Sequence, residues 1–496
     1  MRSLPTTIVI FGASGDLTRR KLMPALFNLH RKGRLPAGTR IVGFARRPYD
    51  HTEFRRLIRE GVERFSGSSV EKAAWESFAA NLYYVRGDLT EPGDYARLRI
   101  SLEQLERGHA NRMYYLATAP NVYVRVVEQL GATGMDTEDG GWRRIVVEKP
   151  FGHDLASARH LDRALHAVFG ERQIYRIDHY LGKDTAQNIL FFRFANTLFE
   201  PVWNRNYVDH VQISVAEDAR VGDRAGYYDQ VGAVRDMFQN HMLQLLALVA
   251  MEPPTSFAAK PLRNETAKVL EAIPPPNPDS VPWTTVRGQY EGYHKEPGVP
   301  PNSPTETFAA LRLTIDNWRW QGLPFYLLSG KAMARKVTEV IVRFRSPPHL
   351  MFPVKPGEEF TPNVLSLCIQ PDEGIHLCFD TKVPDTLAEM RPVDMMFHYE
   401  DAFGPGRIPD AYERLLLDVL LGDPTLFIRD DAIELSWRLI DPILQVWERE
   451  TVPPLATYQP GSWGPSEAEA FIGREGHEWL HYCGEHAKSA AVEAGS

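Results

Sequence analysis

The chain has 496 residues, of which 43% are hydrophobic and 24% charged, a composition typical of a globular protein with two domains. No apolar run reaches the length of a membrane-spanning helix, so we expect no membrane partner. The formal net charge of -8 gives no electrostatic footprint for nucleic acid, although local basic clusters could hold small anions.

A strand, a glycine turn and a helix open the chain. Thr7 to Phe11 is rich in β-branched and aromatic residues, the next five residues read GASGD, and residues 17–29 have helical periodicity. Such a turn presents backbone N–H groups to a phosphate. The GxGxxG fingerprint is not satisfied, because Ser14 and Leu17 stand where its second and third glycines would be. The turn alone fits either a dinucleotide site or an ordinary tight connection.

A second strand, Arg40 to Arg46, ends where a dinucleotide-binding unit usually carries an acid for the ribose diol. Here Arg46 is followed by Arg47 instead. Guanidinium groups favour a 2′-phosphate, so this strand end predicts NADP in preference to NAD. The alternative interpretation is a pair of solvated surface arginines.

Further strands are predicted at residues 82–86, 112–117 and 142–147. The first of these leads into a turn that contains Asp88 and Leu89, and the last ends in Glu148, Lys149 and Pro150. Ligands gather at the carboxyl ends of such strands. Lys149 could therefore bind both substrate and cofactor, or it could be an ordinary surface lysine.

The stretch RIDHYLGK, residues 176–183, begins in the last two residues of a sixth strand, Gln173 to Ile177, and continues into a predicted turn. Asp178 can orient a base, while His179, Tyr180 and Lys183 present the hydrogen-bond donors that complement a phosphoryl group. We therefore predict that this turn holds a phosphorylated substrate.

Farther along, a strand closes on Glu217 and an apolar helical stripe follows from residue 229 to residue 252. His241 lies at the edge of that stripe. A single histidine there is more often a core residue than a catalytic one. Asp178 is a candidate partner acid that favours the catalytic interpretation.

The remainder of the chain contains two proline-rich loops and several alternating runs, which predict an antiparallel sheet. Lys331 and Lys336 flank a turn between two of these runs. They could line a binding site with positive charge, or they could be surface charges that only aid solubility. Cys368, Cys378 and Cys483 lie far apart, so they indicate no disulfide framework and favour a reducing, cytoplasmic location.

The segment HEWLH, residues 477–481, matches the HExxH helix of zinc proteases and argues for another class of protein. The match nearly extends to the longer metzincin pattern, but Ala487 stands at the position of its last histidine. Too few residues follow for a downstream ligand helix, and a motif this short occurs by chance. We therefore predict no metal site.

Taken together, GASGDLTRRKLMPALF, EKPFG, RIDHYLGK, GYYDQVGAVRDMFQNHMLQ, PFYLLSGK, DAYERLLLDVL and GSWGP resemble the glucose-6-phosphate dehydrogenase family. The resemblance runs from residue 8 to about residue 465. It implies an α/β fold, with a Rossmann-like NADP-binding domain over residues 1–178 and a larger α+β domain with a mostly antiparallel sheet over residues 179–496. It also implies a homodimer or homotetramer.

The resemblance further implies residue roles in the oxidation of glucose 6-phosphate at C1 by NADP. His241 would be the general base, oriented by Asp178. The substrate would be bound by His179, Tyr180, Lys183, Lys149, Glu217, Asp236, Lys331, Lys336 and Gln370. The cofactor would be bound by Gly12, Ser14, Gly15, Asp16, Leu17, Arg46, Asp88, Leu89 and Lys149.

Two other functions remain as alternatives. One is an oxidoreductase that acts on an unphosphorylated sugar, which the phosphate-binding trio of the RIDHYLGK turn argues against. The other is a catalytically silent NADP sensor, which the intact Asp178 and His241 argue against.

Overall fold

The computed structural model describes residues 4–67, 69–349, 351–352 and 362–483. The α-helices α1 to α15 are Met23–Arg31, His51–Phe65, Lys72–Ala79, Pro92–Glu106, Tyr123–Ala132, Leu155–His166, Asp184–Phe194, Ala225–Tyr228, Leu243–Ala250, Ala259–Glu271, Val281–Thr284, Tyr399–Phe403, Ala411–Leu421, Asp430–Glu450 and Ser466–Gly473. The strands β1 to β16 are Thr6–Phe11, Arg40–Ala45, Leu82–Arg86, Asn111–Leu116, Arg143–Val147, Ile174–Ile177, Val208–Ala216, Thr285–Tyr290, Phe308–Leu313, Phe325–Gly330, Val337–Phe344, Val364–Gln370, Gly374–Lys382, Met390–His398, Phe427–Ile428 and Leu455–Tyr458. Among these described helices, every one is too short or too polar to span a bilayer.

The chain divides into two compact units. The first contains Met1–Lys183, Ser256–Arg263 and Pro409–Glu434, and the second contains Asp184–Thr255, Asn264–Ile408 and Leu435–Ser496. The domain boundary between residues 178 and 179 stays a prediction.

The first unit is built around a seven-stranded sheet with the order β15-β6-β5-β4-β1-β2-β3. All neighbouring strands are parallel except β15, which runs antiparallel to β6. Every residue of β1 is buried, as expected for the central strand of a parallel sheet. The strand order reverses at β1, and ligands bind such sheets in the crevice at that reversal. The Rossmann-like prediction is confirmed.

The second unit contains a nine-stranded sheet with the order β14-β13-β12-β11-β7-β10-β9-β8-β16. Only the pairs β7 with β10 and β8 with β16 are parallel. The predicted, mostly antiparallel sheet is confirmed.

Helix α13 shows how local signals fix an element. Asp410 caps its first turn by accepting a hydrogen bond from the Tyr412 N–H at 2.9 Å, and Gly422 ends it with a φ of 83°. The run AYERLLLDVLL therefore forms a helix, and its first turn places Tyr412 in the interior of the first unit.

The described C-terminal part lacks the helix that the HEWLH motif requires, and it overturns one expectation about the cysteines. Residues 477–482 form no helix, so His477 and His481 do not share a helix face as the zinc-protease motif requires. The sulfur atoms of Cys368 and Cys483 are bonded, with Cα atoms 5.6 Å apart, although we expected no disulfide framework. Their separation of 115 residues concealed the pair, because only the fold brings β12 to the C-terminal segment.

Candidate active site

The glycine turn after β1 requires glycine at its first position. Gly12 has a φ of 82°, and a Cβ atom there would strike the Ala117 carbonyl oxygen. The Gly12 N–H donates to the Phe44 carbonyl at 2.9 Å, and the Gly15 N–H donates to the Gly12 carbonyl at 2.8 Å. Gly15 and Asp16 are exposed beyond this turn. Glycine at position 12 therefore lets the turn pack closely against the chain at Ala117, even without the full glycine fingerprint.

Basic side chains gather at the ends of β2 and β3. Arg46 is exposed directly after β2, and its carbonyl accepts a hydrogen bond from Arg86 Nε at 3.3 Å. Arg47 donates to the Tyr49 hydroxyl at 3.0 Å, a hydrogen bond that raises the pKa of Arg47. Arg86 was not predicted, although its position at the end of the strand next to Arg46 was the available signal. The arrangement suits an anionic group.

The predicted cofactor turn at Asp88 and Leu89 is fixed by its own residues. Asp88 accepts hydrogen bonds from the backbone and hydroxyl of Thr90, at 2.9 and 2.8 Å, which lower the pKa of its carboxyl group. The Leu89 carbonyl accepts from the Tyr95 hydroxyl at 2.9 Å. The contact of this turn with the cofactor stays a prediction.

Strands β5 and β6 deliver Lys149 and Asp178 to one edge of the first sheet. The two strands are parallel with Val147 opposite Arg176, and Lys149 and Asp178 each lie two positions farther along the chain. The carboxyl ends of parallel strands meet at the same edge, so the register supports the prediction that Lys149 and Asp178 belong to one site.

Glu148 is a buried acid next to the predicted site residue Lys149, and we assigned it no role from the sequence. It accepts a hydrogen bond from the Tyr115 hydroxyl at 2.5 Å and another from Tyr412. Burial raises the pKa of Glu148 to about 7, against the two hydrogen bonds, which lower it. The available sequence signal was the EKP motif, residues 148–150, in which we assigned a binding role only to Lys149.

Replacing Glu148 with glutamine should remove a pH dependence of stability. The pKa of Glu148 is about 7 in the folded state, whereas the ordinary value is 4.5. Between these values the folded state binds more protons, so wild-type stability should fall by roughly 3 kcal/mol as the pH rises through this window. The Tm of E148Q minus the Tm of wild type should therefore be larger at pH 7.5 than at pH 5. If this Tm difference were the same at both pH values, the burial argument would be contradicted. The exposed Glu63→Gln is the control.

The RIDHYLGK stretch forms the predicted turn after β6. Asp178 is 1% exposed, and its Oδ1 accepts the Tyr180 N–H at 3.0 Å. The Lys183 ammonium lies 4.3 Å from the centroid of the Tyr180 ring, and the His179 ring packs edge-on against the same ring at 4.9 Å. The three predicted phosphate-binding side chains therefore share one short turn.

Gly182 lets this turn pack against α13. A Cβ atom there would lie 2.8 Å from the Leu415 side chain and 2.9 Å from the Ala411 carbonyl oxygen. We expect Gly182→Ala to destabilise the first unit by about 1–3 kcal/mol, the usual cost of overpacking. Thermal unfolding measures this, and Gly93→Ala is the control because its Cβ would have no neighbour within 4 Å. Equal Tm values for the two variants would contradict this packing argument.

In the second unit, the structure brings together Glu217, Asp236 and Lys331. The Lys331 ammonium is paired with Glu217 and lies 3.2 Å from Asp236 Oδ2. Burial alone would lower the pKa of Lys331, but the two carboxylates outweigh it and raise that pKa. Since Gly330 pairs with Ala216 in β10 and β7, the sheet register itself places Lys331 beside Glu217. The result is a row of fixed charges that can bind hydroxyl groups.

His241 lies in Val234–Met242, a helical segment with π-type hydrogen bonds that leads into α9. Such segments are frequent at functional sites. The side chain is 1% exposed, and its backbone N–H donates to Asn240 Oδ1 at 2.6 Å. Since Asp178 belongs to the first unit and His241 to the second, their pairing stays a prediction.

The other two predicted substrate residues of the second unit lie at the ends of neighbouring strands. Lys336 is exposed just before β11. Gln370 ends β12, and its Nε2 donates to Thr338 Oγ1 at 3.0 Å. Their roles stay predictions.

The chain matches two family models along most of its length. Residues 9–188 match the NAD binding domain of glucose-6-phosphate dehydrogenase, and residues 190–480 match the C-terminal domain of that enzyme. It is 46% identical over 489 residues to glucose-6-phosphate 1-dehydrogenase 2 of Mycobacterium tuberculosis, covering 96% of this chain and 94% of the relative. It is 45% identical to glucose-6-phosphate 1-dehydrogenase of Aggregatibacter actinomycetemcomitans, covering 97% and 98%.

Two solved structures are also similar. A glucose-6-phosphate dehydrogenase in complex with its substrate glucose-6-phosphate has a TM-score of 0.89 and 34% identity, covering 97% of this chain and 99% of the other. Glucose-6-phosphate 1-dehydrogenase from Mycobacterium avium has a TM-score of 0.82 and 37% identity, covering 96% and 99%.

Proposed function

The chain belongs to the glucose-6-phosphate dehydrogenase family, and from that premise we propose the roles of its site residues. The protein oxidises glucose 6-phosphate at C1 to 6-phosphogluconolactone, with hydride transfer to NADP, in the first step of the oxidative pentose phosphate pathway. The observation that carries the assignment of the site is the Asp178–Lys183 turn, which has a buried acid at one end and three phosphate-binding donors after it. A cytoplasmic location stays a prediction.

The residues of the first unit fit NADP. The turn after β1 leads into a helix whose first backbone N–H groups can meet a pyrophosphate, so Gly12 and Ser14 to Leu17 would bind it. The exposed Arg46 suits the 2′-phosphate. When bound, NADP supplies the acceptor for the hydride from C1. Asp88, Leu89 and Lys149 would complete the binding surface.

The RIDHYLGK turn would hold the substrate by its 6-phosphate. Lys183 supplies a cation, and His179 and Tyr180 supply directional donors. The close packing of these three side chains reduces the conformational freedom that binding must remove. Lys149, at the neighbouring strand end, would bind the sugar beside the nicotinamide ribose.

His241 would act as the general base. It would take the proton from the C1 hydroxyl while the hydride leaves C1, so that the C1–O bond becomes the lactone carbonyl. Asp178 would orient the imidazole and stabilise its protonated form. Asp178 is suited to this because it is buried and held by the Tyr180 N–H.

The charged row of the second unit would position the sugar ring. Glu217 and Asp236 would accept hydrogen bonds from hydroxyl groups, and the buried Lys331 ammonium pairs with both carboxylates and holds them in place. Lys336 and Gln370 would complete this side of the pocket.

Initial rates with glucose 6-phosphate and glucose, each against NADP and NAD, test the proposed substrate site. We expect strong preference for the phosphorylated sugar, and we expect Lys183→Ala to lower kcat/KM for glucose 6-phosphate by about 10- to 100-fold, the worth of a charge-assisted hydrogen bond. The rate on glucose should change little. Equal activity on the two sugars, or an equal effect of K183A on both, would contradict the phosphate assignment.

We also propose that the chain forms a homodimer or homotetramer through the larger sheet. Its edge strand β14 exposes Met395 and Met396, with 62% and 48% of their surfaces accessible, and Phe403 of α12 is 60% exposed. Apolar side chains on a sheet edge are normally covered by a partner. Sedimentation equilibrium tests this, and a monomer at micromolar concentration would refute it.

A further inference from the structure

The C-terminal strap, residues 475–483, is a segment outside the helices and strands that is held by buried side chains of the larger sheet. Gln212 of β7 accepts the Leu480 N–H at 3.0 Å and donates to the Glu478 carbonyl at 2.8 Å. Glu339 of β11 accepts the Tyr482 and Cys483 N–H groups at 3.2 and 3.1 Å. Gln212 and Glu339 are both fully buried, so the strap closes over two polar groups that need it as a partner.

The hydrogen bonds of Gln212 fix the protonation of His210. Because its oxygen must accept from Leu480 and its nitrogen must donate to Glu478, the amide has a single possible orientation. That nitrogen also lies 3.0 Å from His210 Nε2. Nε2 must therefore accept and carry no proton, while Nδ1 donates to Asp209 Oδ2 at 2.9 Å. His210, which is fully buried, is neutral with its proton on Nδ1.

The strap returns to the same aspartate through His477. Its Nε2 lies 3.2 Å from Asp209 Oδ2, and its ring packs against the His210 ring with centroids 4.2 Å apart. Hydrogen bonds from the two histidines lower the pKa of Asp209. The Asp209 carboxylate thus joins a sheet histidine to a strap histidine.

This cluster does not suit a metal ion. Asp209, His210 and His477 present ligand atoms within 4.8 Å of one another. However, Nδ1 of His210 carries the proton and Nε2 faces the N–H of Gln212, so a metal at Nδ1 would require His210 to lose its only proton. The cluster is better described as a hydrogen-bond network.

Other polar and charged side chains around the network also have partners. Tyr326 of β10 contacts His477 Nδ1 at 2.9 Å and donates to Glu475 at 2.6 Å, and Glu475 is paired with Arg312 of β9 at 2.7 Å.

Arg343 of β11 lies 3.5 Å from Glu478 of the strap. Burial lowers the pKa of His210, Asp209 opposes this shift, and the nearby His477 and Arg343 contribute to it. The surroundings therefore favour the neutral ring that the hydrogen bonds require.

We propose that the strap is a pH-dependent latch controlled by His210. A proton added to Nε2 of His210 would face the N–H of Gln212. Two hydrogen-bond donors would then point at each other, and the hydrogen bond that Nε2 accepts from Gln212 would be lost. Relief requires the Gln212 amide to turn or withdraw, and either movement releases the Leu480 N–H and the Glu478 carbonyl. Protonation of one sheet histidine is thereby converted into opening of the strap.

The pH range follows from the two states of the latch. His210 is neutral when the strap is closed and accessible to protons when it is open, where its pKa is the ordinary value of about 6.5. The open state binds more protons below that value, so the closed strap is fully stable above about pH 6.5 and weakens as the pH falls. One proton changes the opening equilibrium by at most about tenfold per pH unit.

The far end of the strap lies beside a proposed substrate residue. Cys483 is bonded to Cys368 of β12, two residues before Gln370, and its sulfur is 3.6 Å from the Gln370 carbonyl. The disulfide would keep this end attached while the Leu480 region opens. The latch is therefore measured both with the disulfide intact and after reduction with dithiothreitol.

Residue-resolved hydrogen–deuterium exchange of the full chain between pH 5 and pH 8 tests the latch. After correction for the intrinsic exchange rate, protection of the Leu480 amide should fall several-fold, and at most about tenfold, between pH 6.5 and pH 5.5. Constant protection, or protection that rises on acidification, would overturn the proposal. Added Zn²⁺ at pH 7.5 should leave protection unchanged, and an increase would overturn the assigned position of the His210 proton.

Two variants identify the titrating group. His210→Gln should abolish the pH dependence of the Leu480 amide, whereas His481→Gln should retain it. His481 is the matched control because it lies on the same strap, 3.5 Å from Glu339, yet has no part in the His210 network. Loss of the pH dependence in H481Q would overturn the assignment to His210. Should H210Q fail to fold, His477→Gln separates the two histidines of the network, because it should retain the pH dependence, and a loss there would assign the titration to His477 and overturn the proposal.

Discussion

Replacing His241 with asparagine should lower kcat by at least about a hundredfold, the lower end of the contribution of a general base. Asparagine keeps a planar polar side chain of similar reach but cannot take up the C1 hydroxyl proton. His241 is 1% exposed and lies in a helical segment whose backbone is fixed by the Asn240 side chain, so the substituted group should stay in place. The loss should therefore be chemical rather than structural.

The measurement is kcat together with the Kd for NADP. The proposed NADP-binding residues lie in the first unit and His241 lies in the second, so the Kd should be nearly unchanged. His294→Asn, at another histidine of the second unit, is the control and should keep normal turnover. Near-normal turnover in H241N would refute the general-base assignment, whereas a lost NADP affinity would indicate a folding defect.

Short-range signals in the sequence predicted the parts of the site that lie on single elements. The RIDHYLGK turn is an example, because its acid and its three donors fall within six residues after a strand. The glycine turn after β1 is another, although only the structure shows that Gly12 is required by the nearby Ala117 carbonyl.

Other parts of the site depend on sheet pairing and could not be read from local pattern. Glu217 and Lys331 are distant in sequence, and they meet because Ala216 and Gly330 are partners in parallel strands. Their joint role followed only from the family resemblance. Glu148 was missed because its burial between Tyr115 and Tyr412 depends on a helix that returns late in the chain.

The HEWLH segment is the opposite case, because its residues match a motif but the chain does not form the helix that the motif requires. A helical interpretation needs the chain to continue in helical geometry after α15, but Gly476 has a φ of 76° and residues 477–482 form neither helix nor strand. The two histidines then have separate partners, Asp209 for His477 and Glu339 for His481. Spacing alone could not reveal this.

Replacing Arg46 with alanine should weaken NADP binding by about 10- to 100-fold while changing NAD binding little. A charge-assisted hydrogen bond contributes about 1.5–3 kcal/mol, and only NADP has the 2′-phosphate that could accept it. Arg46 is exposed at the end of β2, so its removal should leave no buried group without a partner. Stability should therefore be unaffected.

Arg47→Ala is the matched control, since the two arginines are adjacent and differ in their contacts. Arg47 is held by the Tyr49 hydroxyl, whereas Arg46 is the residue that directly follows the strand. The Kd values for NADP and NAD should be measured at low and high salt, because a surface guanidinium–phosphate contact is screened by ions. Wild type should lose NADP affinity with added salt, and R46A should lose less. An unchanged cofactor preference in R46A together with a lost preference in R47A would move the 2′-phosphate site to Arg47, and the hydrogen bond with Tyr49 would then position that arginine.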